Sequence, residues 1–494
     1  MNSTVRLQEI HLKNFKNVKN GTVTMNSYNY INSDEPSDIS DILGIYGQNG
    51  SGKTTLIDSL NLLKYVIKGE PLPDNTTNLI SFGDDFATLS TKFLIQDADK
   101  EFLVDYSLEL KKKVPTKTSE KTGKVIVSKE RLDFIDLSSL DKTRKVKVKM
   151  IDYDIDNELT CFVPKKRYND IIRENAENIY KINIARAFSL KDSTSYIFSE
   201  LMTAIFRNSE SMDERYPQII NALQNFANKN LFVIKTDQLG QINSDHLMPF
   251  NFKINSKASS GGNRDNYDVG DSSSITNEYI ENTVVSDGFT IHFFDNFSIP
   301  EEMYDIMTKI IEQINIVLSA LIPELKIELC NLGAHLSTST QKLVNIELIS
   351  RRGDLGIPLK YESEGIKKII SILSVMIAVY NNEGVCLAID ELDSGVFEYL
   401  LGEILEVFEK NSNGQFIFTS HNLRPLERLS KESVVFTTTN PENRYLRLVN
   451  VKKTDNLRDF YLRLVILGGQ KEEIYRETNS FEIRHAFRKA GDLR

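Results

Sequence analysis

The chain has 494 residues, enough for two or three compact units with their own cores rather than a short scaffold. At 40% hydrophobic and 26% charged it has the balance of a folded globular protein, not of a collagen-like or disordered one. Sixty Lys plus Arg against 69 Asp plus Glu give a formal charge of −9, which excludes a surface coated overall for nucleic acid but not a local basic patch.

Along the chain, Val5, Leu7, Ile10 and Leu12, then Val23 and Met25, alternate with polar residues and predict two strands joined by a polar turn. DILGIY (41–46) reads as a short buried strand, and Leu56, Leu60, Leu63 and Ile67 in TLIDSLNLLKYVI (55–67) have helical spacing. Between them GQNGSGKTT (47–55) matches G-x-x-x-x-G-K-[ST] in the strand-to-helix setting that a phosphate-binding P-loop requires. Gly47, Gly50 and Gly52 allow a tight turn that aims the N–H groups of Gln48, Asn49, Ser51 and their neighbours inward, toward a polyphosphate such as that of ATP. Lys53 is expected to reach the β- and γ-phosphates and Thr54 to hold Mg²⁺, with Thr55 opening the helix behind them.

From Ala87 to Met150 the alternating runs TLSTKFLI, EFLVDYSLEL, KVIVSK, RLDFIDL and RKVKVKM predict a β-meander. Residues 165–235 read as short helices, none sustaining a coiled-coil arm. The Gly-, Ser- and Asp-rich segment 256–274 reads as a mobile insertion loop. A helix at 301–322 and strands LKIELCNL and LVNIELIS follow. The cluster DYDID (152–156) alternates as the solvated face of a strand does.

The second chemical signal is VCLAIDELDSG (385–395), an apolar strand ending in two acids. Buried in a parallel sheet, it would bring Asp390 beside the P-loop to organise Mg²⁺ and leave Glu391 to polarise the attacking water. GQFIFTSHN (414–422) is a further apolar strand, ending at His421, 30 residues after Glu391. That gap leaves room for one helix and a return strand, which makes His421 a candidate γ-phosphate sensor beside the catalytic Glu391.

GQNGSGKTT, CLAIDELDSG and FIFTSHN in that order, with an N-terminal strand ending NFKN, resemble the ABC-type ATPase heads of SMC, RecF and OLD proteins. The resemblance implies an α/β P-loop NTPase head with an N-terminal antiparallel β-subdomain and a mixed β/helical insertion. It implies Mg-ATP hydrolysis, at a slow rate, in a head-to-tail homodimer or higher oligomer whose signature motif closes over the other copy's ATP. ESEGIKK is in the position of that signature, with Ser363, Glu364 and Gly365 opening a helix; the plain alternative is a helix N-cap with an acidic first turn. ILGGQKEE (466–473) looks nearer to LSGGQ but follows the His421 strand, on the wrong side of Asp390, and is set aside. No Q-loop glutamine is assigned; Gln96 lies in a strand-like run.

The resemblance divides the chain into an N-terminal lobe (1–110), an insertion (111–340), a C-terminal lobe (341–450) and a helical tail (451–494). Residues 110–150 hold 13 Lys plus Arg against 5 Asp plus Glu, net +8, which leaves −17 on the rest; this stretch would bind a phosphate backbone or form a Lys-protected β-edge. The roughly 73 residues after His421 are too few for the Toprim nuclease of OLD proteins. Overall layout and the ESEGIKK, DELDSG and TSHN variants resemble the ATPase subunits of anti-phage modules such as PARIS, Septu, retron and Rlo systems. That implies a separate toxic effector, nuclease or other toxin, and a phage-derived trigger; the alternative is a RecF- or SMC-like repair ATPase that clamps duplex DNA through 111–150.

Cys161, Cys330 and Cys386 have neither CxxC nor His-paired spacing, so no disulfide framework or zinc site is expected. With no apolar leader core at the N-terminus and no uncharged apolar run of about 18 residues, the expectation is a cytoplasmic chain without a membrane span.

Overall fold

The computed structural model of the protein describes residues 3–26, 41–113, 124–138, 146–157, 161–210, 212–235, 241–243, 290–292, 297–336, 342–452 and 455–491. The insertion loop expected at 256–274 lies outside them, as do 114–123 and 139–145 of the basic stretch. In chain order the strands are β1 (Thr4–Phe15), β2 (Val18–Thr24), β3 (Ile42–Tyr46), β4 (Phe86–Asp97), β5 (Lys100–Lys112), β6 (Val125–Asp136), β7 (Lys147–Asp154) and β8 (Leu231–Ile234). They continue with β9 (Gln241–Asn243), β10 (Thr290–His292), β11 (Phe297–Pro300), β12 (Leu325–Leu336), β13 (Lys342–Arg352), β14 (Leu355–Pro358), β15 (Cys386–Ile389), β16 (Gln415–Thr419), β17 (Val434–Thr437) and β18 (Tyr445–Leu446).

The expected antiparallel subdomain is a six-stranded sheet in the order β2-β1-β4-β5-β6-β7. Alternation builds it: in β5, Phe102, Val104, Tyr106, Leu108 and Leu110 are all buried while the residues between them are only partly covered. In β1 the inward phase slips from Val5 and Leu7 to Ile10 and Leu12, and the pairing with β4 shifts register between Leu7 and Glu9. KVIVSK and RLDFIDL, two runs in the sequence, are one strand, β6. On β7, Asp152 is exposed between buried Ile151 and Tyr153, as the alternation of DYDID implies.

The second six-stranded sheet has the order β18-β17-β3-β16-β15-β8, with all neighbours parallel except β18. Its central strands ILGIY, CLAI and QFIFT are buried at every position, the pattern of strands covered on both faces. Leu43, Ile45, Ala388 and Ile417 face the core shared with the P-loop helix Lys53–Lys68 and the antiparallel sheet. Ile42, Tyr46, Leu387, Ile389, Phe416 and Phe418 face the opposite core, built with helices Glu301–Leu321 and Glu364–Asn381.

The expected divisions cut through continuous structure. The 110/111 line falls inside β5, and the 340/341 line falls between β12 and β13, which pair along their lengths. Leu231–Ile234, from the expected insertion, forms edge strand β8 of the parallel sheet, hydrogen-bonded to β15.

One buried amide joins the two large sheets. Gln415 Nε2 donates to Leu7 O at 2.8 Å and to Asp41 Oδ2 at 2.9 Å, and its Oε1 accepts from Leu7 N at 2.7 Å. Gln415→Leu would leave the Leu7 N–H and C=O buried without a partner, at about 1–3 kcal/mol each. We expect a loss of about 2–4 kcal/mol in a guanidinium titration, with the ATP site otherwise intact.

Candidate active site

The carboxyl ends of the parallel strands lie along one edge of the sheet, where open α/β sheets bind their ligands. Register fixes the neighbours: Tyr46 of β3 pairs with Phe436 of β17, Ile45 with Thr419 of β16, Phe418 with Ile389 of β15, and Ile389 with Ile234 of β8. The loop after Tyr46, the acids after Ile389 and the Ser420–His421 turn after Thr419 therefore come together.

The loop from Gly47 turns into the helix that starts at Lys53. Gly52 sits at the N-cap with φ 98°, and a Cβ on Gly47 would lie 1.8 Å from Thr437 Oγ1, so neither position admits a side chain without strain. Asn17, from NFKN, donates from Nδ2 to Gly50 O and accepts from Thr55 Oγ1 at 3.1 Å. Tyr445 OH donates to Gly52 O at 2.8 Å, and Arg444 reaches Asn17 O at 2.6 Å. Ser51 Oγ donates to Gln48 O at 2.6 Å, closing the loop on itself. Asn49 and Gly50 are both exposed at the loop's tip.

Lys53 Nζ folds back over the loop, donating to Gly47 O at 2.9 Å and Gln48 O at 3.0 Å. Burial pushes its pKa down, opposed by the negative charges of Asp390, Asp393 and Glu391. Thr54 Oγ1 donates to Asp390 Oδ1 at 3.3 Å, and Thr419 Oγ1 donates to the same oxygen at 2.6 Å. Thr419 Oγ1 in turn accepts from Glu391 N at 2.7 Å. Glu391 has φ 51°, the left-handed region that a non-glycine residue occupies only when its surroundings hold it there. Its carbonyl accepts from Lys368 Nζ. Asp393 Oδ2 accepts from His421 N at 3.1 Å and Asn422 N at 3.0 Å, and His421 itself is exposed.

Ser363 is the N-cap of helix Glu364–Asn381, its Oγ accepting from Ile366 N at 3.4 Å. Glu364 is exposed and pairs with Lys367 at 2.7 Å. Gly365 packs on the backbone just past Glu391: a Cβ there would lie 1.9 Å from Gly395 O. Gly365→Ala must shift the helix start, and a misplacement of that size costs catalysis about 100-fold. We expect steady-state ATP hydrolysis to fall by about that factor while binding of a fluorescent ATP analogue to the P-loop persists.

The structure thus brings Lys53, Thr54, Asp390 and Glu391 to one edge, with the Ser363–Gly365 helix start packed against the chain that follows them. Asn17, Lys368, Asp393 and Thr419 all lie within motifs quoted from the sequence but had no assigned part there. The signal for Lys368 was a lysine on the apolar face of a helix, and its burial, which pushes its pKa down, is compensated by Asp393, Glu391 and Asp390. The Gly pair of ILGGQ ends helix Leu457–Leu467, Gly468 N donating to Leu464 O at 2.9 Å, and Gln96 bonds Glu101 at 3.0 Å across a hairpin. In the basic stretch Lys129, Arg131 and Lys147 are ion-paired to acids of the same sheet, and Lys111 to Asp156 in the turn after β7. No helix among the described residues is long and apolar enough to cross a membrane.

Residues 9–231, including the P-loop, match the family model of the AAA domain. No curated protein matches the sequence. Among solved structures, an SMC head bound to the C-winged helix domain of ScpA aligns over 90% of this chain and 97% of its own, at 11% identity and TM-score 0.41. The SMC head domain from Thermotoga maritima aligns over 90% and 99% at 14% identity and TM-score 0.35. The recombination mediator protein RecF with ATP aligns over 85% and 94% at 12% identity and TM-score 0.33. The family match and the strand–loop–helix geometry support a P-loop ATPase that binds ATP.

Proposed function

We propose that the protein is an ABC-type ATPase switch of the SMC and RecF kind, which binds Mg-ATP between two copies of itself. The observation that carries this reading is the junction at Asp390, where Thr54 of the P-loop and Thr419 of β16 meet one carboxylate oxygen next to Glu391. A hydroxyl and a carboxylate are hard oxygen donors, the chemistry Mg²⁺ takes, so Thr54 and Asp390 would hold the ion. Bound there, the ion would supply charge neutralisation at the β- and γ-phosphates.

In this reading Lys53 leaves the Gly47 and Gln48 carbonyls to bind phosphate oxygens. Glu391, set apart from Asp390 by its turned backbone, orients and deprotonates the attacking water. His421, whose backbone N–H is held by Asp393, would serve as the γ-phosphate contact. Ser363 and the helix N-terminus at Glu364–Gly365 are exposed or half-exposed, free to donate to the γ-phosphate of a second copy. Because Gly365 rests on Gly395, closure on the other copy's ATP is felt directly by the segment that carries Glu391.

The biological role proposed is anti-phage defence: ATP occupancy holds a separate effector, and a phage-derived trigger shifts the balance between open and closed heads, releasing it. What supports it is the layout of motifs in a short-armed head. Lys111, Lys129, Arg131 and Lys147 of 111–150 are engaged by neighbouring acids, which lends no favour to the DNA clamp. The test is phage plating on cells carrying the native locus with wild-type protein, Lys53→Ala or Glu391→Gln. Protection lost in both variants supports the role. Unchanged plating in all strains, with hydrolysis stimulated by duplex DNA and suppressed by salt, would replace it with the repair clamp.

A further inference from the structure

The stretch after helix Leu457–Leu467 returns to the nucleotide edge and is pinned there. Glu472 accepts from Asn440 Nδ2 at 3.0 Å and Asn443 Nδ2 at 3.1 Å, and Glu473 O accepts from Thr439 N at 2.8 Å. Ile474 is buried, and Arg476 N donates to Oε1 of Gln48, inside the P-loop, at 2.8 Å. From this anchor the chain enters helix Ser480–Gly491, in which no residue is buried.

That helix is amphipathic. Ile483, Ala486, Phe487 and Ala490 follow i, i+3, i+4, i+7 and form one apolar stripe, with Phe487 78% exposed. Arg484, Arg488 and Lys489 make the helix basic against a single acid, Glu482. Twelve residues are too few to hold a helix in water on propensity alone, so the stripe calls for a partner. Its anchor is a contact with Gln48 of the P-loop, and in the two-copy reading that loop meets Ser363–Gly365 of the other chain.

The surface beside Gly365 is complementary to it. The segment from Glu391 to Glu403 carries Glu391, Asp393, Glu398 and Glu403 and no basic residue. It displays Phe397, 67% exposed, and Tyr399, 50% exposed, with ring centroids 5.6 Å apart; Arg424 covers one face of Tyr399. We propose that helix Ser480–Gly491 is an exchanged arm, which lays its Ile483–Phe487 stripe on the Phe397–Tyr399 pair of a second copy and sets its basic residues against that copy's acidic segment. The proposal rests on the head-to-tail reading. Two such contacts, related by the two-fold axis, would close the assembly and stop it from growing.

Cysteine cross-linking tests this in full-length protein. Cys161 and Cys386 are buried and only Cys330 is an exposed native thiol, so Cys330→Ser gives the background. One tagged chain carries Phe487→Cys, an untagged chain carries Phe397→Cys, and both carry Glu391→Gln so that ATP is retained. We expect a disulfide between the two chains that needs Mg-ATP. In separate light-scattering runs, Ile483→Asp with Phe487→Asp should weaken Mg-ATP-dependent association at least about tenfold without changing the melting temperature. Association with Mg-ATP that forms no cross-link and ignores the Asp substitutions overturns the arm while the two-copy reading stands. Absence of association at any concentration overturns both. A disulfide formed within single chains that carry both cysteines shows the helix folding back on its own head, and overturns the exchange.

Discussion

Lys53→Ala is expected to abolish ATP binding. The ammonium is the one cation folded over the loop among the P-loop residues, and it already makes two hydrogen bonds to that loop's carbonyls, so phosphate oxygens would replace acceptors it has in place. Hydrogen bonds to charged groups contribute about 1.5–3 kcal/mol each, and losing two of them weakens binding by about 100-fold or more. A thermal melt with and without Mg-ATP reads the result in folded protein. Wild type should gain stability as nucleotide saturates it, whereas Lys53→Ala should melt at one temperature in both conditions. An unchanged ligand-induced shift in Lys53→Ala would remove the P-loop from the account.

Glu391→Gln is expected to separate binding from hydrolysis. The contacts that hold Glu391 run through its backbone, from its N–H to Thr419 and from Lys368 to its carbonyl, so an amide of the same shape leaves the turn as it is. What goes is the base of the proposed mechanism. Loss of general-base catalysis costs about 10²–10⁴-fold, and we expect kcat to fall in that range while ATP affinity stays within about twofold of wild type. Trapped ATP should also raise the fraction of associated heads. Hydrolysis by Glu391→Gln at the wild-type rate would show that another group activates the water.

The parts of this site that were legible in the sequence are those whose cause is local. A glycine-rich turn needs its glycines where φ is positive, and a doubly covered strand needs an unbroken apolar run, so GQNGSGKTT and VCLAID announce themselves. Alternation marked the antiparallel sheet too, but Val5, Leu7, Ile10 and Leu12 read there as one plain alternation, without the slip at Gln8. That slip was not visible, because the register shift belongs to the pairing with β4.

Contacts made only by the tertiary fold stayed hidden. Leu231–Ile234 is too short to announce its place beside β15, and Lys368 looks like any lysine in a helix until its burial next to Glu391 is known. The divisions at 110 and 340 followed a likeness to heads with long arms, whereas hydrogen-bonded sheets run across both lines. Ser363 is the N-cap that the plain reading of SEG required. Ser363 and Glu364 are exposed at that cap, so the proposed contact with a second copy uses the same helix start.

Whether the ATP site is completed by a second copy is best decided by mixing two inactive proteins. Lys53→Ala lacks a working P-loop but keeps its signature segment, and Ser363→Arg keeps the P-loop but blocks the signature. In a head-to-tail pair of one of each, the Ser363→Arg P-loop meets the intact Ser363 of its partner, so one competent site forms. The account predicts that ATP hydrolysis, absent from either protein alone, returns on mixing and rises with total concentration. No recovery on mixing, with both variants folded and wild type active under the same conditions, would contradict it and place the whole catalytic site within a single chain.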